Sequence, residues 1–365
     1  MKQLYHYTST PSFESIIKNQ CIRMTRSDFM NDPHDCQIFF DIVEDYINQQ
    51  SMKDFIQKSS LANPKHTLEL IQIYPVTDYM KFIFENIPLY IFSMTSENDS
   101  LPMWNYYGGQ GLQLSFDNKK LFDKMSESLC TKEHQLLIST QVEYINNQTS
   151  LTDLKLNSFS DFMVNEININ TQKVSSREHS IHHSDGNNLE YFVDSYIKSY
   201  LTTISLLIER NGGFYNDSID SKDKTIFFQK IFTHNKSLIG NMKLKFKADI
   251  DIYMLILATR YKPKTFENEA ETRIVYLDYS LGGNSNECYT VSQNTFGDCL
   301  KPYIECCFKD NSLSPLIEEI LLSPMTTKMP FHLSTYKKLI CDFINKYNGH
   351  LNINNINVSK HDIRW

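Results

Sequence analysis

The spacing of apolar residues changes twice within the first 25 positions, and this alternation constrains the fold more than any other feature of the chain. Leu4-Tyr5-His6-Tyr7-Thr8 alternates like a strand dense in aromatics. Ser9 or Thr10 then offers an N-cap, with Pro11 in the first turn, and Phe13, Ile16 and Ile17 recur at helical spacing. Cys21 to Thr25 is extended again. The first unit is therefore strand, capped helix, strand.

The same mixture continues. Residues 37–58 and 66–87 read as helices, and Tyr90 to Met94 as a buried strand. A polar loop, Ser96 to Asp99, and the run Trp104-Asn105-Tyr106-Tyr107-Gly108-Gly109-Gln110-Gly111 lead into an alternating strand, Leu112 to Phe116. Another strand is expected from Leu136 to Tyr144. Residues 145–187, rich in Asn, Ser, Thr and Asp, have weak periodicity and read as a partly irregular insertion. Phe192, Tyr196, Ile197, Tyr200, Leu201, Ile204 and Ile208 then keep helical spacing. A second helical stretch covers about 222–258. Thr272 to Leu277 and Ile317 to Leu322 are strand-like, Met329 to Asn348 is helical, and Leu351 to Trp365 is extended. The fold class is α+β, without internal repeats.

A chain of 365 residues buries a core without needing a metal or disulfide staple. Its 41% hydrophobic and 22% charged content is that of a globular protein. The longest apolar run, Tyr253 to Ala258, falls far short of the roughly 20 residues that span a bilayer, and no apolar leader follows Met1. A cytoplasmic protein with no membrane partner is expected. The 36 Lys and Arg against 43 Asp and Glu give a net charge of −7, which disfavours duplex nucleic acid because phosphate neutralisation supplies most of that affinity. Lys243, Lys245 and Lys247 read as a solvated face. The eight cysteines contain no C-x-x-C pair and read as buried thiols.

Four groups of residues have the chemistry of sites. His6, on one strand face with Leu4 and Thr8, offers a ring nitrogen to a ribose or phosphate; a histidine satisfied by backbone groups is the plainer alternative. Glu269, Glu271 and Arg273 share a face at a period of two, suited to stabilising a developing cation or to base work, with an ion-paired edge strand as the alternative. Trp104 to Gly111 combines stacking rings with glycines that permit close backbone approach, or else forms a hairpin with aromatic packing. His179, His182, His183 and Asp185 have metal-like spacing, but their polar surroundings read as loop, so no metal is expected.

In combination these features resemble an uncharacterised bacterial and phage family marked by an opening LYHYT and a late E-x-E-W-R. The opening is Leu4 to Thr8. The family's N-D-P-x-E turn corresponds to Asn31-Asp32-Pro33-His34-Asp35, and its central motif to Trp104, Tyr107, Gly108, Gly111 and Phe116. The late motif is Phe266, Glu269, Glu271 and Arg273, with Thr272 where the family has Trp. The tail, Val358 to Arg364, is similar to a shortened S-x-I-x-x-R ending.

The motif order is in turn similar to that of ADP-ribosyltransferases of the His-Tyr-Glu type. That likeness implies one domain over 1–365, an ADP-ribosyltransferase-like split β-sheet core with helical insertions, the largest at about 145–260. It implies NAD as a substrate, with His6 and Thr8 on its adenosine side and Trp104 or Tyr107, most simply Tyr107, stacking on nicotinamide. Glu271 would hold the nicotinamide ribose beside Arg273, and Glu269 would activate the acceptor. The implied activity is ADP-ribosyl transfer or NAD hydrolysis in bacterial conflict, as a toxin or phage-defence protein. Its acceptor would be a protein or nucleic acid, and an antitoxin or defence-system protein would be a further partner. Rival readings are a non-catalytic nucleotide or nucleic-acid sensor and a helical interaction module.

Overall fold

A computed structural model describes residues 3–361, apart from 31, 33–35, 60, 62, 133, 147, 155–161, 169–172, 180–188, 211–223, 240–246, 280–286, 295–296, 310–311 and 348. The chain opens with strand β1 (Gln3–Thr8), helix α1 (Thr10–Asn19) and β2 (Cys21–Arg26). Ser9 caps α1, its hydroxyl accepting from the Ser12 amide. Helices α2 (Gln37–Gln49), α3 (Met52–Lys58), α4 (Pro64–Ile73) and α5 (Val76–Asn86) follow. The two long helices expected here are each broken. Gln50 is extended and Ser51 caps a new helix, while Pro75 cannot continue the hydrogen-bond ladder of α4.

Strand β3 (Leu89–Thr95) leads to the single turn α6 (Leu101–Met103) and a π-helical turn, Trp104–Gly108. The hairpin that stood as the alternative for this segment does not form. Its glycines serve packing: a Cβ on Gly108 would lie 2.3 Å from the Trp104 ring, and one on Gly111 would lie 2.0 Å from the Thr8 carbonyl oxygen. After β4 (Leu112–Asp117) comes α7 (Asn118–Leu129), a helix unforeseen in the sequence, capped by Asp117 and burying Leu121, Phe122 and Met125.

Strands β5 (Gln135–Gln141) and β6 (Glu143–Ile145) are followed by a hairpin, β7 (Phe162–Asn168) and β8 (Lys173–His179). The hairpin pairs with β5 and extends the main sheet, where the sequence pattern points to irregular chain. His179 ends β8, in a strand rather than a helix. His182, His183, Asp185, Lys243, Lys245, Arg364 and most of the Asn31–Asp35 motif lie outside the described residues. Next come α8 (Leu189–Arg210), α9 (Lys224–Ile239) and α10 (Lys247–Ala258). The chain closes with β9 (Tyr261–Pro263), β10 (Glu271–Asp278), β11 (Cys288–Asn294), β12 (Gly297–Cys307), β13 (Ile317–Leu322), α11 (Leu333–Lys346) and β14 (Ile356–Val358).

The architecture is α+β around a mostly antiparallel sheet of order β14-β13-β4-β1-β3-β10-β5-β7-β8. One irregularity positions the site. Strands β1 and β2 both pair with the same strand, β3: β1 only at the last residue of β3, through Tyr5–Thr95, and β2 at Thr25–Ile91 and Arg26–Tyr90. The sheet therefore forks, with β1 leading to β4 and β13 and β2 leading to β12 and β11. Period-two alternation sends Leu89, Ile91, Val275 and Leu277 into one core with α2, α5, α8 and α10. Phe92, Met94, Ile274 and Tyr276 enter a second core with residues of α1, α7 and α11. The helices of 189–258 share the first core with α2 and α5, because Tyr196, Tyr200 and Ile204 pack among the same residues as Tyr79 and Ile83.

Cysteine use differs from the expectation of buried thiols. Cys21 and Cys307, directly opposite on β2 and β12, form a disulfide across 286 residues of sequence. Cys36, Cys130 and Cys306 are buried thiols outside any disulfide. Among the described residues no helix is long and apolar enough to cross a membrane.

Candidate active site

A cavity of about 240 Å³ opens in the fork. Its walls come from β1 (His6), β2 (Arg23), β3 (Ser93), the π-helical turn (Tyr107) and the segment leading into β10 (Glu269, Glu271). A second cavity of about 340 Å³ adjoins it, reaching past His6 and Tyr107 to Thr8, Ser9 and Ser12 at the start of α1. His6, Tyr107, Glu269 and Glu271, far apart in sequence, thus face one space.

Glu271 opens β10, a central strand flanked by β3 and β5, so it does not lie on an edge. Its face-sharing neighbour Arg273 is fully buried and holds it in a fork, with Nε to Oε1 and Nη2 to Oε2 both 2.9 Å. The Arg273 Nη1 donates to the Thr259 carbonyl at 2.9 Å. The Ser93 hydroxyl donates to Glu271 Oε1 at 2.5 Å, and the Glu271 amide donates to the Tyr144 hydroxyl at 2.8 Å. Glu269 does not share the strand. It ends a 3-10 turn, Lys264–Glu269, and Ala270 reverses the backbone in the left-handed region at φ 42. The reversal nevertheless returns Glu269 to the cavity, where it accepts from Tyr107 Oη at 2.6 Å.

Lys262, on the short strand β9, joins the two carboxylates. Its Nζ lies 2.7 Å from Glu269 Oε2 and 3.3 Å from Glu271 Oε2, and 4.6 Å from the centre of the Phe266 ring. Two carboxylates and two cations thus form a compact network of zero formal charge. Burial pushes the Glu271 carboxyl up, but Arg273 and then Lys262 pull it down further, aided by hydrogen bonds from Arg273 and Ser93, to about 2. Sequence reasoning missed Lys262 and Ser93. The available signals were a lysine between an apolar helix and a buried E-x-E segment, and a lone serine in an otherwise apolar strand.

His6 packs its ring 4.6 Å from Phe92 and places Nδ1 3.1 Å from the Ser93 carbonyl oxygen. It is both backbone-satisfied and cavity-lining, combining the two readings of the sequence. Burial lowers its pKa to about 4 despite the Ser93 hydrogen bond, so the ring is neutral at pH 7. Thr8 lines the second cavity. Trp104 and Arg273 do not line either cavity. Trp104 is buried, donates to Asp99 Oδ1 at 2.9 Å and stands edge-on to Tyr7, so it supports the wall from behind. Arg273 bonds the cavity-lining Glu271 from outside the cavity.

These shifts fix a pH dependence of stability. An unfolded histidine takes its proton near 6.5, whereas the folded His6 resists until about 4. Stability attributable to His6 is therefore lost as pH falls from 6.5 to 4, with no further loss below. The Glu271 contribution is complete above the ordinary carboxyl value of 4.5 and is lost as pH falls through about 2. Urea midpoints measured from pH 7 to 4 should fall less steeply for His6→Gln than for the native protein; equal slopes would contradict the assignment.

A family described as a protein of unknown function (DUF2971) matches residues 103–274. The matched segment contains Trp104, Tyr107, Lys262, Glu269, Glu271 and Arg273, and leaves β1 and β2 outside. The match fits an uncharacterised family. No curated protein and no solved structure matches the chain.

Proposed function

We propose that the protein cleaves the bond between nicotinamide and ribose in NAD, passing ADP-ribose to an acceptor or to water, in the setting of bacterial conflict. The observation that carries this reading is the convergence of His6, Tyr107, Glu269 and Glu271 on one cavity in the fork of the sheet. Nicotinamide leaves with the electron pair of the C1′–N bond and becomes neutral, while the ribose becomes oxocarbenium-like. A fixed anion beside that sugar lowers the barrier. Glu271 is that anion: Arg273, Ser93 and Lys262 fill its roughly four acceptor positions, so a ribose hydroxyl takes the place of the longest of these contacts, that of Lys262 at 3.3 Å. Tyr107 flanks the leaving ring, and Glu269, tied to Tyr107 and Lys262, takes the acceptor's proton as its lone pair attacks C1′.

The net charge of −7 favours a protein acceptor over nucleic acid. A non-catalytic nucleotide sensor is the second reading, favoured by the engagement of both Glu271 oxygens within the protein. Nicotinamide release from NAD, measured with and without cell lysate, separates the readings. Release that lysate accelerates supports a transferase, and release indifferent to lysate a hydrolase. NAD binding with no release contradicts the enzyme and leaves the sensor.

A further inference from the structure

A third cavity, a groove of about 1130 Å³, adjoins the first, with Asp32 and Phe266 lining both. The Phe266 ring lies 4.6 Å from the Lys262 ammonium that bridges the two carboxylates. One wall of the groove is a face of α2, where Ile38, Asp41, Ile42 and Asp45 recur at i, i+3, i+4 and i+7. Another is the segment from Pro263 to Phe266, where the 3-10 turn that ends at Glu269 begins. A molecule lying in the groove therefore reaches toward the residue assigned to the acceptor.

The groove has an apolar floor and a negative rim. Ile38, Ile42, Ile145, Pro263 and Phe266 are buried or half-buried, whereas Asp41, Asp45 and Asp153 are exposed. With the buried Asp32 they set four aspartates against one cation, Lys264, among the described lining residues. Asp41 accepts from the Gln37 side-chain amide, and Asp153 from the Ser150 hydroxyl and backbone amide, neutral donors that leave the negative charge uncancelled. Lys81 feels the charge of Asp41 but is bonded to Glu44 at 2.7 Å. Excess negative charge around an apolar floor repels phosphate and suits a cation carried on an aliphatic stem, as in lysine and arginine. The volume exceeds the ~300–1,000 Å³ of sites for drug-sized ligands, so a length of polypeptide fits it better than a single metabolite.

We infer that this groove docks the acceptor, an extended segment of a partner protein in which lysine or arginine alternates with apolar side chains. This rests on the reading of Glu269 as the group that takes the acceptor's proton, and adds how the acceptor is held beside it. In an extended segment successive side chains point to opposite sides, so the basic ones meet the aspartates while the apolar ones cover the isoleucines.

The test is fluorescence polarisation of a labelled peptide alternating arginine and leucine, with the full chain, beside the same peptide carrying glutamate for arginine. The basic peptide should bind about tenfold or more tighter than the acidic one. Asp41→Lys combined with Asp45→Lys should weaken the basic peptide about tenfold or more, because two attractions become repulsions. Glu14→Lys combined with Glu127→Lys changes the net charge equally on α1 and α7, outside the groove lining, and should weaken it less than about threefold. All four substituted residues are exposed, so the core stays intact. Equal losses in the two double variants, equal binding of the two peptides, or no binding of the basic one would overturn the inference. The expected pattern without nicotinamide release from NAD would sink the catalytic proposal and leave the groove standing as a site for basic segments. Release without the pattern would do the reverse.

Discussion

Arg273→Met is expected to destabilise the protein by about 3–5 kcal/mol, the usual cost of leaving one partner of a buried ion pair behind. Arg273 is 0% exposed and Glu271 3% exposed, so water cannot take the place of the guanidinium. The substitution removes both hydrogen bonds to the Glu271 carboxylate and the donor to the Thr259 carbonyl. With Arg273 gone, burial acts on Glu271 against only Lys262 and the Ser93 hydrogen bond, and its carboxyl rises toward protonation. Urea unfolding at pH 7 measures the loss. Adding Glu271→Gln to Arg273→Met should recover part of it, because the stranded charge is then absent. A loss below about 1 kcal/mol would mean that the network does not hold this corner of the fold.

Glu271→Gln is expected to cut nicotinamide release by about 10²–10³-fold, the scale seen when one preorganised electrostatic group is removed from a site. The amide keeps the size of the carboxylate and the shape of the cavity, but loses the charge opposite the developing cation. It also leaves Arg273 and Lys262 with Glu269 as their remaining carboxylate, so an unfolding curve belongs beside the kinetics. A folded variant with undiminished release would remove Glu271 from the chemistry.

Much of the architecture was legible because it rests on local pattern. Strands β1, β3, β4 and β10 and helices α1 and α8 follow from period and caps within a few residues of each other. The breaks at Ser51 and Pro75 were visible too, but helical periodicity on both sides masked them. The fork was not legible, since it depends on β1 and β2 choosing the same strand β3 across about 90 and about 65 residues of chain, and nothing local records that choice. The same limit applies to the site. Glu269 and Glu271 stood out as a pair, but the left-handed turn at Ala270 that separates their backbones gave no sign, because alanine seldom enters that region and does not mark it. Lys262 belongs to the cluster through a contact between β9 and β10 rather than through a motif. Trp104 and Arg273 invited roles at the ligand because of their chemistry; burial gives them supporting ones instead.

A crystal structure of the protein soaked with NAD at saturating concentration decides whether the fork between β1 and β2 is the ligand site. The expected density puts the nicotinamide ribose within hydrogen-bond distance of Glu271 and the ring against Tyr107. Ligand density anywhere else on the molecule, or a fork that stays vacant with Glu271 held only by Arg273, Lys262 and Ser93, would contradict it.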